Sequence, residues 1–256
     1  MSHDRFSLSD CSKRVRIALF MSAFPATRHS IVAAMRSTRP DERRSAFDAL
    51  VTAYWKPVFK YVRLKWHASP EDAADLTQGF FTRAFEKDFF AGFDSSRARF
   101  RTYLRTCLDG FVANARKADA RLKRGGGVTL IPIDFDEAER ELRRQSPNAI
   151  DDFDAYFHRE WLRGLFAAAA KKLRQTCEER GRPHRFAVFE QYDLADEDGE
   201  RPTYAEIARR LGVSSAEVTN ELAAARREFR RFVLDALRDQ CASDEEFEAE
   251  SRMLTG

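Results

Sequence analysis

Residues 202–229 read PTYAEIARRLGVSSAEVTNELAAARREF, and the reading of this stretch decides the fold of the C-terminal half. Thr203 and Glu206 stand in the T-x-x-E spacing of a capping box, where the hydroxyl accepts from the third backbone N–H and the carboxylate reaches back to the cap. Pro202 just ahead tolerates its missing amide donor. Ser214 and Glu217 repeat the signature eleven residues on. Between them Gly212 supplies a left-handed turn at no Cβ penalty. Ile207, Ala208, Leu211, Val213, Val218 and Leu222 recur with helical spacing. The pattern predicts a helix-turn-helix, with Ser215 to Ala223 as the groove-reading helix. An αα-hairpin inside a helical core is the plainer reading of the same residues. The outer face of the second helix offers Ser215, Glu217, Thr219, Asn220 and Glu221, with no Lys or Arg before Arg226 and Arg227. Asn and Thr can read base edges, but phosphate neutralisation must come from elsewhere.

Composition sets the frame around this motif. The chain has 256 residues, 43% hydrophobic and 33% charged, with only 11 Gly and 8 Pro, which favours helices. Net charge is +3, so any nucleic-acid footprint lies in the distribution of charge rather than its sum. Cys11, Cys107, Cys177 and Cys241 are far apart and form no C-x-x-C pair; Cys107 falls on an apolar helical face and reads as core. Neither a disulfide framework nor a zinc knuckle is indicated, and His158 and His184 have no ligand-like spacing, so no metal or cofactor is expected. No apolar run approaches the ~18 residues of a membrane span. RIALFMSAFPA (16–26) is too short and broken for a signal peptide, and Met21 is an alternative start. These features together predict a soluble protein of a reducing cytoplasm.

Working back from the opening motif, residues 43–67 carry Phe47, Leu50, Val51, Tyr54, Val58, Tyr61, Val62 and Leu64 at helical spacing, with Pro57 expected to kink or split the helix. SPEDAADLTQGFFTRAFEK (69–87) starts another, with Ser69 as cap, Pro70 as first residue and acids in the first turn. A third helix buries Phe100, Tyr103, Leu104, Cys107, Leu108, Phe111 and Val112. Between Arg97 and Arg124 nine Lys/Arg face two acids, Asp109 and Asp119, a net of +7 that makes an electrostatic footprint for a phosphate backbone. Phe89, Phe90 and Phe93 beside these cations are expected as exposed rings that stack unpaired bases. Gly125 to Gly127 close the helix. Eight acids against three bases between Asp134 and Asp154 then read as a linker. Helical patterns resume to Ala225, and the acidic tail reads as mobile.

Three of these stretches carry a family resemblance. DAADLTQGFF (72–81), FRTYLRTCLDGFVANARKADARLKR (100–124) and YAEIARRLGVSSAEVTNELAAARREF (204–229), in this order, resemble the extracytoplasmic-function sigma factors of bacterial RNA polymerase, within the sigma-70 family. The likeness covers about half the chain. It implies an all-α fold of two helical domains joined by a linker. The expected division is an extension over 1–28, a polymerase- and minus-ten-binding domain over 29–124, a linker over 125–155, a minus-thirty-five-binding domain over 156–240 and a tail over 241–256.

The resemblance also implies roles. Asp72, Asp75, Leu76, Gln78 and Phe81 would dock on the clamp helices of the polymerase largest subunit. The flap would be a second polymerase contact. Phe93 in the loop 89–96, with Arg97, Arg99, Arg101, Arg105, Asn114, Arg116 and Lys117, would open and hold the minus-ten element, capturing a flipped base without hydrolysis. Ser215, Glu217, Thr219, Asn220 and Ala223 would face the minus-thirty-five duplex, and Arg226 and Arg227 its phosphates. Family members often carry basic residues where this chain has Thr219, Glu221 and Ala224, and its linker and middle helix are long. An anti-sigma partner is common in the family, though no feature here shows one. No Gly-rich phosphate loop, H-E-x-x-H or G-x-S-x-G occurs, so neither catalysis nor a small-molecule substrate is expected. A stand-alone helix-turn-helix regulator on operator DNA is the alternative, and it leaves DAADLTQGFF without a role.

Overall fold

In a computed structural model, the described residues are 31–117, 132–145, 150, 152–195 and 201–255. Among them the chain is all-helical, with ten α-helices and no strand. They are α1 (Ile31–Ala34), α2 (Pro40–Lys65), α3 (Pro70–Glu86), α4 (Phe100–Lys117), α5 (Phe135–Gln145), α6 (Phe153–Glu179), α7 (Pro183–Asp193), α8 (Tyr204–Leu211), α9 (Ser215–Gln240) and α10 (Asp244–Thr255), plus a 3-10 turn at Phe89–Gly92. The expected extension before Ile31 and the glycines 125–127 lie outside the described residues.

The described residues form two compact units, 31–164 with 238–249 and 165–237 with 250–255. The division falls within α6, α9 and α10 rather than in the acidic stretch expected as the linker. Within that stretch α5 is a formed helix, and within the tail expected to be mobile so is α10.

In the first unit, α2 buries Phe47, Leu50, Val51, Tyr54, Val58, Tyr61 and Val62, the stripe read from the sequence without Leu64, which is half-buried. Each such side chain contributes about 1.5–3 kcal/mol when fully buried. It packs on Ala73, Leu76, Phe80 and Phe81 of α3 and on Phe100, Leu104, Leu108 and Val112 of α4. Phe47 meets Phe81 edge-on at 6.4 Å, and Tyr54 meets Phe100 at 5.9 Å. Ser69 caps α3 as expected, its Oγ accepting from the Asp72 N–H at 3.0 Å.

Pro57 does not split α2, which runs unbroken for 26 residues. The proline removes the donor that would reach the Ala53 carbonyl. Gly164 of α6 lies against that oxygen, where an added Cβ would sit 3.8 Å away.

The acidic α5 lies on the polar flank of α2. Arg63 forks onto Glu139 with both bonds at 2.8 Å, and Lys56 and Lys60 reach Glu141 at 2.8 and 2.9 Å. Phe135 meets Trp55 edge-on at 5.7 Å and Phe59 at a tilt at 5.2 Å. Burial would raise the Glu141 carboxyl, yet Lys60 and Lys56 hold it below its ordinary value. The acids of this segment find complementary cations on α2, which is why α5 docks.

In the second unit, Phe229 is the centre of the core, 4.9 Å from Phe189 and 6.2 Å from Phe166. Ile207, Ala208, Val218, Leu222 and Ala225 are buried in the same unit.

Candidate nucleic-acid and partner surfaces

The exposed face of α3 follows from its buried one. With Leu76, Phe80 and Phe81 turned to the core, Asp72, Asp75 and Gln78 fall three residues apart along the outside and are all exposed. The two carboxylates make no ion pair among the described residues. Leu76 and Phe81, expected in the same surface, are core residues; Phe81 is 0% exposed. Only the three polar members are available to a partner.

The loop and helix expected to hold a single strand divide differently from the sequence reading. Phe93 is buried, not exposed, with its ring 5.2 Å from Phe100 and 5.4 Å from Tyr103. Phe90 is buried as well, 5.5 Å from Phe100. The 3-10 turn folds both rings inward because the N-terminal end of α4 presents aromatic partners there. These two rings are therefore core and cannot stack on bases. Arg105 is also placed inside a network, reaching Asp109 at 3.1 Å, Asp154 at 3.0 Å and the Tyr61 hydroxyl at 3.3 Å. Its charge is matched by two carboxylates and is not free for phosphate. Arg101 lies over the Trp161 ring at 5.0 Å. Arg97 is exposed and pairs with Asp94 at 3.3 Å, a surface contact of little strength. Arg99 is half-buried, while Asn114, Arg116 and Lys117 are exposed at the C-terminal end of α4. Arg116 donates to the Trp66 carbonyl and stacks on its ring.

A groove of about 570 Å³ runs along α4 from Tyr103 to Ala115, lined by Arg83, Phe89, Tyr103, Cys107, Phe111 and Asn114 among others. Gly79 lets the Phe111 ring lie close against α3, since a Cβ there would stand 3.3 Å from it. Phe111 in turn rests edge-on against Phe80 at 5.8 Å. The Tyr103 hydroxyl donates to the Phe89 carbonyl at 2.7 Å and ties the turn to α4. Cys107, expected as core, is half-buried in the groove, and burial raises its thiol above its ordinary value. Aromatic walls with an amide and a guanidinium at the rim can hold a flat heterocycle by stacking and hydrogen bonding. Arg83 and Tyr103 were not singled out from the sequence as ligand-facing, because a helical stripe does not say which of its edges lines a groove.

In the helix-turn-helix both capping boxes form. Thr203 N–H donates to Glu206 at 2.8 Å and Ser214 N–H to Glu217 at 2.8 Å, with the reciprocal bonds at 3.3 and 3.2 Å. The backbone bond to Ser214 holds the Glu217 carboxyl below its ordinary value, and it is committed to the cap rather than to bases. Gly212 adopts φ 70°, and its N–H and that of Val213 both close on the Ala208 carbonyl. Ser215, Thr219, Asn220, Ala223 and Arg227 remain exposed on α9. Arg226, expected on phosphate, is instead clamped by Asp193, and Glu221 is taken by Arg185 at 2.5 Å. Arg209 and Arg210, exposed in the last turn of α8, are cations flanking the motif.

Among the described residues no cluster of His, Cys, Asp and Glu could hold a metal ion, and no helix is long and apolar enough to cross a membrane. Comparison with protein-family models, with curated proteins and with solved structures found no match to this chain in any of the three.

Proposed function

We propose that the chain is a promoter-specificity subunit of bacterial RNA polymerase, a sigma factor of the extracytoplasmic-function type acting in the cytoplasm without catalysis of its own. The observation that carries this reading is the exposed row Asp72, Asp75 and Gln78 on a helix whose other face is core. An acidic row without internal partners suits a basic helical partner, and the resemblance assigns that place to the polymerase clamp helices. In this reading Arg97, Arg116 and Lys117 attract the minus-ten strand, and the groove beside Asn114 takes an unstacked base in place of the buried Phe93. Thr219, Asn220 and Ala223 face the minus-thirty-five duplex, with Arg227 on phosphate. A stand-alone operator-binding regulator would use the same α9 face but gives the α3 row nothing to do.

Run-off transcription from a genomic promoter library, with core polymerase and with or without the protein, tests this. New start sites that need the protein and vanish with Asp75→Lys are the expected result. Tight duplex binding by the protein alone, with no new starts, would replace the sigma reading by the regulator.

A further inference from the structure

We infer that residues 238–249 form an intramolecular cover over the N-terminal end of the basic helix α4 and compete there with single-stranded nucleic acid, an inference that rests on the nucleic-acid reading above. Helix α4 begins after Arg99, which has no acceptor with which to cap it. The Thr102 and Tyr103 N–H groups return to the Arg99 carbonyl at 3.0 and 3.1 Å. The Phe100 N–H goes elsewhere, to Glu246 at 2.8 Å across 146 residues of chain. The other oxygen of the same carboxylate accepts from the Ala242 N–H at 2.9 Å. Glu246 thus stitches its own segment to the positive end of α4, the position a phosphate favours.

A second attachment acts on one of the cations. The Trp161 indole N–H donates to Gln240 at 2.6 Å, and the Arg101 guanidinium lies 5.0 Å over the same ring. Gln240 therefore helps fix the surface on which Arg101 is held. Cys241 and Phe247 are buried, Arg238 stacks on Phe247 at 4.8 Å, and Arg238 also pairs with Asp244. The segment carries five acids against one base, opposite in sign to the helix it caps. Apolar anchors hold it in place, while the group at the helix end is an anion that another anion can replace.

The test is fluorescence anisotropy of a labelled A/T-rich single-stranded DNA with the full-length chain, comparing the native protein with Glu246→Gln and Gln240→Ala, with helix content checked by circular dichroism. Glu246→Gln should tighten binding roughly fivefold. It should also steepen the dependence of log affinity on log salt by about 0.7, one phosphate gained, which a merely structural cap would not do. Gln240→Ala should shift affinity in the same direction by loosening the hold of the segment on Trp161. Measurable binding that is equal or weaker in both variants overturns the cover and leaves the nucleic-acid reading standing. No binding by any of the three proteins removes that reading and the cover with it.

Discussion

Arg226 grips the Asp193 carboxylate with two edges of its guanidinium, Nε to Oδ2 at 2.8 Å and Nη2 to Oδ1 at 2.7 Å. Tyr192 lies under the same guanidinium at 5.4 Å. The neighbouring Arg227 is exposed. Adjacent arginines of one helix thus divide into a fold-holding and a surface residue. Arg226→Ala should lower stability by ~1–3 kcal/mol, as expected for a lost charged hydrogen-bond pair, and leave duplex affinity per folded molecule unchanged. Arg227→Ala should leave stability within ~0.5 kcal/mol and reduce the salt slope of duplex binding by about 0.9. Thermal unfolding and anisotropy on both variants check this; a reversed pattern would refute the assignment.

Much of the second unit was legible because its signals are local. Thr203 with Glu206, Ser214 with Glu217, and Gly212 act within a few residues of themselves, and each forms as read. The stripes of α2, α3 and α4 were legible for the same reason. What escaped depends on partners far along the chain. The acids of α5 read as a solvated linker because the cations that receive them, Lys56, Lys60 and Arg63, lie some 80 residues earlier in a helix read for its apolar face. Phe93 beside arginines reads alike whether its ring turns out or in, and only its packing against Phe100 and Tyr103 decides. Arg226 reads as a phosphate contact until Asp193 is placed beside it.

The buried ion cluster joining α2, α5 and α6 should behave as an indivisible unit. Lys60 is 1% exposed and bonds Glu160, itself 3% exposed, at 2.8 Å and Glu141 at 2.9 Å. Lys60→Met removes the buried Glu160's lysine partner and should cost ~3–5 kcal/mol. Combining it with Glu160→Leu should recover most of that loss, since an apolar pair tolerates the site. Urea unfolding of the two singles and the double gives the cycle, and additive losses would show that the two charges do not depend on each other.

Gly212→Ala isolates a backbone cost. Beyond its chain neighbours, nothing lies within 4 Å of the added Cβ, so packing is not disturbed. The φ of 70° is the whole difficulty, and placing an L side chain there should cost ~1–2 kcal/mol. Gly212→Asn should cost less, because asparagine enters this region more readily. Melting temperatures of the two variants test the order, and equal or inverted values would mean that the turn relaxes to another conformation.

His158 should make the first unit sensitive to mild acid. Burial first, and then the charges of Arg101, Arg99 and Arg159, lower its pKa from 6.5 to about 4. Its Nδ1 is buried with no hydrogen-bond partner among the described residues, and its ring stacks on Trp161 at 5.6 Å. The folded state holds the imidazole neutral where the unfolded chain would protonate it. Between the two values the unfolded state binds the extra proton, so stability rises with pH there. The contribution is complete above pH 6.5 and declines as the pH falls toward 4. Carboxylates act in a lower window: the Arg63 hydrogen bond holds Glu139 below its ordinary value, and its contribution is lost as the pH falls from that ordinary value through the lowered one. Replacing the imidazole separates the two. His158→Leu should flatten the stability profile between pH 6.5 and 4 and keep the steeper fall below it. Urea unfolding across that range measures the slope, and an unchanged slope in the variant would assign the acid sensitivity to some other group.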